Sequence, residues 1–450
     1  MEDVVERQRE FYRTGATRDV AFRIKSLKCL KQRVVEYEDR INQALWEDLH
    51  KSAYEGYLTE IAFVLQELTC HIRHLKKWTR PTRVTTPIHL FGSKSRIIHE
   101  PLGVVLIMAP WNYPFQLLMA PLIGALSAGN CAVLKPSPAV PHVCRVMKEI
   151  IEKTFDPAYV KMVEGGWEAC QELLAERFDY IFFTGSPDTG KIVMKAAAEH
   201  LTPVTLELGG KSPCIVDEDA DIDCAARRIA WGKCLNAGQT CVAPDYLLVH
   251  VAVKNELLER IGFYFQKFYG ERPADSSDYP RMVRMEAVDR MERFMQKGRI
   301  VWGGEINREK RYVSPTLLDE VLPDDPVMQE EIFGPLLPVM EFRCLREAIE
   351  YVNAHEKPLA LYYFGTSSRA ENVIRETSSG GMCVNDTIMH IANLNLPFGG
   401  VGNSGMGKYH GFDSFQTFSN RRAILNSPTF WDIRFKYPPY RQINLLKKFV

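Results

Sequence analysis

Apolar positions in the first part of the chain recur every three or four residues, through Val20–Leu49 and again through Tyr57–Leu75. That is the spacing of helices that bury one face, so residues 1 to about 76 are expected to be helical. Pro81, Pro87 and Gly92 break the period, and the β-branched residues of Arg80–Ile98 predict an extended ribbon. A two-stranded ribbon is marginal by itself, so this one is expected to lean on another domain or on a second subunit.

From residue 101 the rhythm changes to short, wholly apolar runs. GVVLIMAP, NCAVLKPS, VKMVEGG, YIFFTGS and PVTLELGG read as strands, separated by helices over Phe115–Ser127, Val140–Lys153, Ala169–Glu176 and Gly190–Glu199. Strands apolar on both faces that alternate with helices predict a doubly wound parallel sheet, whose ligands bind beyond the carboxyl ends of the strands. After Gly210 the alternation resumes with PCIVDED, a helix over Cys224–Leu235, YLLVHV and a helix over Lys254–Phe268. The expected fold class is α/β. A doubly wound parallel-sheet cofactor domain is assigned to residues 1–80 and 99–206, an α/β catalytic domain to 207–395, and a small bridging or oligomerisation ribbon to 81–98 and 412–427. Residues 428–450 form a basic, aromatic tail in which Arg434, Lys436, Arg441, Lys447 and Lys448 outweigh Asp432. The tail is expected to pack on its own protein, the alternative being weak contact with an anionic membrane surface.

Composition narrows the class. At 450 residues the chain is too long for one core, and 46% apolar with 25% charged residues is ordinary for a globular protein. Lys+Arg and Asp+Glu both total 56, so nothing in the charge favours nucleic acid. The opening MEDVVERQREFYRTG lacks the apolar core of a signal peptide, and no apolar run is long enough to span a bilayer. Eleven cysteines without a C-x-x-C pair indicate reduced thiols in a cytoplasmic enzyme rather than a disulfide framework or a zinc site. His71 and His74 lie one helical turn apart without a third ligand, so they are read as a solvated helix face, and no metal is expected.

The one literal G-x-G-x-x-G, Gly400–Gly405, is followed by no βαβ unit and reads as a loop that lines the site at most. FTGSPDTGK, Phe183–Lys191, is the better phosphate site. Ser186 is placed as an N-cap and Pro187 as the first helical residue, Gly185 and Gly190 allow close approach, and the helix N-terminus offers free N–H groups. Asp188 would repel phosphate and should point away. Cys241 sits in NAGQTCVAPDY, where small residues leave room for a substrate, although most cysteines in a chain are inert core thiols. Glu207, in LELGGKSP, lies at the end of an apolar strand where burial would raise its pKa and make it a base; the alternative is a salt bridge with Lys211.

WNYPF (Trp111–Phe115), LKPS, FTGS, LELGGKSP, NAGQTCVAPDY, QEEIFGP (Gln329–Pro335) and LPFGGVGNSGMGKYHG occur in that order. Together they resemble the aldehyde dehydrogenase superfamily, and HLTPVTLELGGKSP with the abrupt start resembles its class 3 branch of fatty and aromatic aldehyde dehydrogenases. The resemblance runs from about residue 5 to 427. It implies that Cys241 attacks the aldehyde, that Asn112 and the Cys241 backbone N–H hold the oxyanion, and that hydride leaves for a nicotinamide to give a thioester. Glu207 matches the base that activates water. Lys135 and Glu331 match the residues on the two riboses, Phe333 packs near the nicotinamide, Gly185 and Ser186 match the pyrophosphate corner with Gly190, and Leu208 is assigned to the cofactor. Tyr113 and His390 are assigned to the substrate, in an apolar tunnel for medium or long aliphatic and aromatic aldehydes.

The chain departs from the family pattern at Pro138, three residues after Lys135, where an acid commonly rejects a 2′-phosphate, and at Pro187, where Thr is usual. The first departure implies that either NAD or NADP serves as cofactor. A homodimer is implied. Two other readings, a CoA-acylating relative and a catalytically silent protein, are disfavoured by Glu207 and by the intact set Cys241, Glu207 and Asn112.

Overall fold

The computed structural model describes residues 2–432 and 436–440; of the tail, Arg434, Arg441, Lys447 and Lys448 lie outside the described residues. The apolar runs form a six-stranded sheet in the order Gly405–Met406, Val204–Leu208, Tyr180–Gly185, Val104–Met108, Cys131–Lys135, Val160–Met162. All its pairings are parallel except the first. Every residue of Val104–Met108 and Cys131–Lys135 is buried, which is why these strands carry no polar alternation. Helix Pro114–Ala128, buried along its whole length, packs against both strands.

A second sheet of seven strands follows the order Arg299–Trp302, Thr316–Asp319, Leu336–Phe342, Tyr246–His250, Pro213–Val216, Ala360–Phe364, Gly381–Val384. It too is parallel, apart from the antiparallel edge strand Arg299–Trp302. The ribbon has three strands: Ser419–Asn426, within the 412–427 segment, pairs with Lys94–Pro101 along its full length, and Thr82–Val84 covers the other edge.

The N-terminal helical region divides where the sequence showed one run. Val20–Glu36, capped by the Asp19 side chain on the Ala21 and Phe22 N–H groups, gives way to Glu38–Leu49 at Tyr37. Ala53–Gly56 then runs into a π-helical turn, Tyr57–Ile61, before Ala62–Trp78. His71 is not on a solvated face. It is fully buried, with Nδ1 2.6 Å from Ser127 Oγ and Nε2 3.2 Å from Glu67, because it shares the inward stripe with Val64 and Leu68. Among the described residues no cluster of three His, Cys, Asp or Glu side chains is arranged to hold a metal.

Candidate active site

Four strands of the first sheet end on one wall of a cleft of about 1100 Å³, and each delivers a residue singled out by sequence. Val104–Met108 leads to Asn112, Cys131–Lys135 ends on Lys135, Tyr180–Gly185 ends on Gly185 with Ser186 next, and Val204–Leu208 ends with Glu207 and Leu208. The facing wall is built from loops that enter strands of the second sheet: Cys241 ahead of Tyr246–His250, and Glu331 and Phe333 ahead of Leu336–Phe342.

The Cys241 loop is held in an unusual backbone. Asn236 and Ala237 both adopt φ 52°, a left-handed conformation that costs a non-glycine residue about 1 kcal/mol or more. Neighbouring bonds enforce it. The Asn236 N–H donates to Glu55 Oε1 (2.8 Å), its Nδ2 donates to the carbonyls of Asn112 (2.8 Å) and Gln239 (3.1 Å), and Gln239 Nε2 donates to the carbonyls of Asn236 and Arg281, both at 3.0 Å. At Gly238 a Cβ would stand 2.2 Å from the Gly334 carbonyl oxygen, so the turn admits only glycine.

Asn112 is fixed from the N-terminal helices. Lys51 Nζ donates to the Asn112 carbonyl at 2.9 Å and pairs with Glu60 at 2.7 Å, both side chains being wholly buried. Glu60 Oε2 in turn accepts from the Phe115 and Gln116 N–H groups, each at 3.0 Å, anchoring the start of helix Pro114–Ala128. Asn112 Nδ2 donates to the Gln239 carbonyl at 3.1 Å, and an amide nitrogen carries a second hydrogen for an oxyanion.

Cys241 is half-buried. Burial, then the Glu331 and Glu207 carboxylates, push its thiol up to about 12, while its own N–H and that of Val242 act in the opposite direction. Glu207 is buried, and neither carboxylate oxygen has a hydrogen-bond partner among the described residues. Burial raises its pKa well above the usual carboxylate range, with Lys408 the opposing charge. Lys211 is not its partner: that ammonium pairs with Asp245 and donates to the Val327 and Glu330 carbonyls at 2.9 Å each.

The remainder of the cleft suits a dinucleotide. Ser186 caps helix Pro187–Ala198 by accepting from the Thr189 N–H, leaving the helix N-terminus at the cleft, and Asp188 points to solvent beside Lys191. Lys135 Nζ is tethered by the carbonyls of Pro136 (2.8 Å) and Gly165 (2.7 Å). The Glu331 carboxyl lies against Gly209, where a Cβ would fall 2.1 Å from Oε2, and burial pushes its pKa up to about 8. Phe333 meets Trp111 edge-on at 5.4 Å.

Three predicted residues stand outside the cleft lining. Gly190 packs under Leu208, whose side chain a Cβ would strike at 2.7 Å. The Tyr113 hydroxyl bonds Thr240 Oγ1 at 2.6 Å beneath Lys51, which lies 4.0 Å over its ring. His390 Nδ1 is 3.1 Å from Cys383 Sγ, and burial lowers its pKa to about 4, keeping it neutral. The literal glycine fingerprint forms a short 3₁₀ turn, Gly402–Ser404, and contributes Asn403 and Ser404 to the cleft. Sequence reasoning missed Lys51, Glu55 and Glu60. The available signal was Glu60 itself, a carboxylate in the same three-and-four stripe as Phe63, Val64 and Leu68.

Fold and cleft together define a two-sheet α/β protein with a cleft at the carboxyl ends of a doubly wound sheet. Residues 1–424 match the aldehyde dehydrogenase family model. The chain belongs to that family, and it oxidises aldehydes with NAD or NADP. It is 48% identical over 434 residues to the 4,4'-diaponeurosporen-aldehyde dehydrogenase of Staphylococcus aureus, covering 96% of this chain and 95% of that one. It is 47% identical to the dimeric NADP-preferring aldehyde dehydrogenase of Rattus norvegicus, covering 94% of each chain. Among solved structures, the substrate-bound state of Staphylococcus aureus AldH superposes with a TM-score of 0.98 at 46% identity, over 100% of this chain and 99% of that one.

Proposed function

We propose that Cys241 is the nucleophile, Asn112 the oxyanion donor and Glu207 the base of this aldehyde oxidation. The observation that carries the reading is the meeting of Cys241 and Glu207 in one cleft, the carboxylate buried with both oxygens unengaged among the described residues. The Cys241 thiol gives its proton to solvent water as the sulfur adds to the aldehyde carbonyl, forming a thiohemiacetal whose oxyanion accepts from Asn112 Nδ2 and the Cys241 backbone N–H. Such a donor is worth about 3 kcal/mol in the transition state. A nicotinamide dinucleotide bound along Lys135, the Ser186 corner and Glu331 supplies the hydride acceptor. The oxidised intermediate is an acyl thioester on Cys241. Glu207 then takes a proton from water as its oxygen adds to the thioester carbonyl, the Cys241 sulfur leaves, and the acid is released.

For the substrate we infer medium or long aliphatic and aromatic aldehydes, supported by Trp231, Ile391 and Phe398, which pack with Cys241 against one apolar cluster. The active unit is proposed to be a homodimer, in keeping with the word "dimeric" in the rat relative's name, with the exposed ribbon of Thr82–Val84 and Ser419–Asn426 as the contact. No helix among the described residues is long and apolar enough to cross a membrane, and a cytoplasmic setting is proposed on the eleven free cysteines. An aldehyde panel from short aliphatic to long and aromatic, run with NAD and NADP, tests the substrate class. Turnover fastest on the shortest aldehydes contradicts it. Cys241→Ala is expected to abolish turnover while cofactor binding persists.

A further inference from the structure

We propose that Lys408 is a positioning residue for Glu207, a cation that favours the charged form of the base without occupying either of its oxygens; this rests on the reading of Glu207 as the base. The strand Gly405–Met406 pairs antiparallel with Leu206 and Glu207, so the chain runs past the base and reaches Lys408 immediately afterwards. Both side chains flank the bare face of Gly399: a Cβ there would lie 2.7 Å from Glu207 Oε1 and 3.0 Å from Lys408 Cδ.

The ammonium nevertheless makes no ion pair with the carboxylate. Lys408 Nζ donates to the Gly399 carbonyl and, at 3.2 Å, to that of Gly380. Those two acceptors hold the positive charge beside Glu207 and short of it, so a water molecule finds the carboxylate oxygens free. A direct salt bridge would engage the base, and a missing cation would leave the effect of burial unopposed.

Of the groups that act electrostatically on Glu207 or feel its charge, the Tyr180 and Tyr409 phenols and the Cys241 thiol are neutral acids from three other segments, and none offsets a negative charge. Lys408 is the opposing cation; burial lowers its own pKa, while the Glu207 and then the Asp413 carboxylates act to raise it. An opposite charge within about 4–6 Å of a carboxyl lowers its pKa by about one to three units.

The sign follows directly. Loss of the cation raises the Glu207 pKa, so the ionised fraction appears at higher pH and the acidic limb of thioester hydrolysis moves upward. Rapid-quench measurement of thioester decay against pH tests this in the full chain, in Lys408→Met, Lys408→Arg and Glu207→Gln, with the hydride burst of each sample recorded as the control for folding and acylation. For Lys408→Met we expect a burst within about twofold of the parent. Decay should be about tenfold slower or more on the acidic side and should converge at high pH, with Lys408→Arg close to the parent, as a shift of one pH unit or more requires. A limb that superposes on the parent, or slowing by the same factor at every pH, overturns the role of Lys408. Parent-like decay in Glu207→Gln overturns the reading of the base itself, which separates the two failures.

Discussion

Lys51→Met removes one half of a wholly buried ion pair, and its consequences can be worked from the contacts. Lys51 bonds Glu60 at 2.7 Å and the Asn112 carbonyl at 2.9 Å. Without it, Glu60 is a buried carboxylate that retains only the N–H groups of Phe115 and Gln116. Breaking a buried pair from one side costs about 3–5 kcal/mol, and the two surviving donors favour the lower end, about 3 kcal/mol. At roughly 2–4 °C per kcal/mol for a unit of this size, the melting temperature should fall by about 6–12 °C. Lys51→Met/Glu60→Gln removes the stranded charge and should recover most of that loss. Activity should not recover, because the Asn112 carbonyl still lacks a donor. We expect kcat/KM in both variants to fall by about tenfold to a hundredfold, approaching what deletion of an oxyanion donor costs. Cofactor affinity should hold, since Lys135, Ser186 and Glu331 sit on other segments. Thermal melts, steady-state kinetics and cofactor titration by fluorescence read all three quantities. Two outcomes refute the reasoning: a melting temperature within about 2 °C of the parent, or rate losses of Lys51→Met and Asn112→Ala that multiply in the double variant as independent effects do.

Three further outcomes are expected. The parent should use NAD and NADP with efficiencies within about a thousandfold, and Pro138→Glu, which restores an acid beyond Lys135, should raise the NADP KM by about tenfold or more while sparing NAD, as steady-state kinetics will show. Gly209→Ala drives a methyl group into Glu331, 2.1 Å from Oε2, so the cofactor KM should rise about tenfold with little change in melting temperature; an unchanged KM speaks against a cofactor contact at Glu331. In the cofactor-free enzyme the Cys241 thiol, pushed up to about 12, should be alkylated by iodoacetamide at a rate rising about tenfold per pH unit from roughly pH 7 to 10, because the thiolate fraction grows until the pKa is reached; a plateau near pH 8 by mass spectrometry contradicts this.

The first sheet was legible because strands buried on both faces leave unbroken apolar runs, and the residues at their carboxyl ends were legible as site candidates for the same reason. Of the later strands of the second sheet, Arg299–Trp302, Thr316–Asp319 and Gly381–Val384 are only four residues long and leave little pattern, whereas Leu336–Phe342 and Ala360–Phe364 carry apolar runs beside Gly334-Pro335, Pro358 and Gly365 that the sequence reading passes over. Contacts across the chain left no local trace. Glu55 holds Asn236 across 181 positions, and Lys51 holds Asn112 across 61. Periodicity reports that a residue faces inward, as it did for Glu60, but never which distant backbone group it meets. The same limit explains Tyr113, His390 and Gly190. Their motifs bring them near the cleft, while the hydroxyl of Thr240, the thiol of Cys383 and the side chain of Leu208 claim the contacts they make. His71, paired by spacing with His74 on what reads as a solvated face, is instead buried because its ring meets Ser127 and Glu67 inside the fold.

The aldehyde carbon is expected to pass through a covalent acyl thioester on Cys241, released by Glu207. Glu207→Gln incubated with an aldehyde and cofactor, quenched in acid and digested, tests it most directly by peptide mass spectrometry. One equivalent of reduced cofactor per active site is expected, with the acyl mass on the peptide that contains Cys241. Continued turnover without a trapped adduct, or an adduct on any other cysteine, contradicts it.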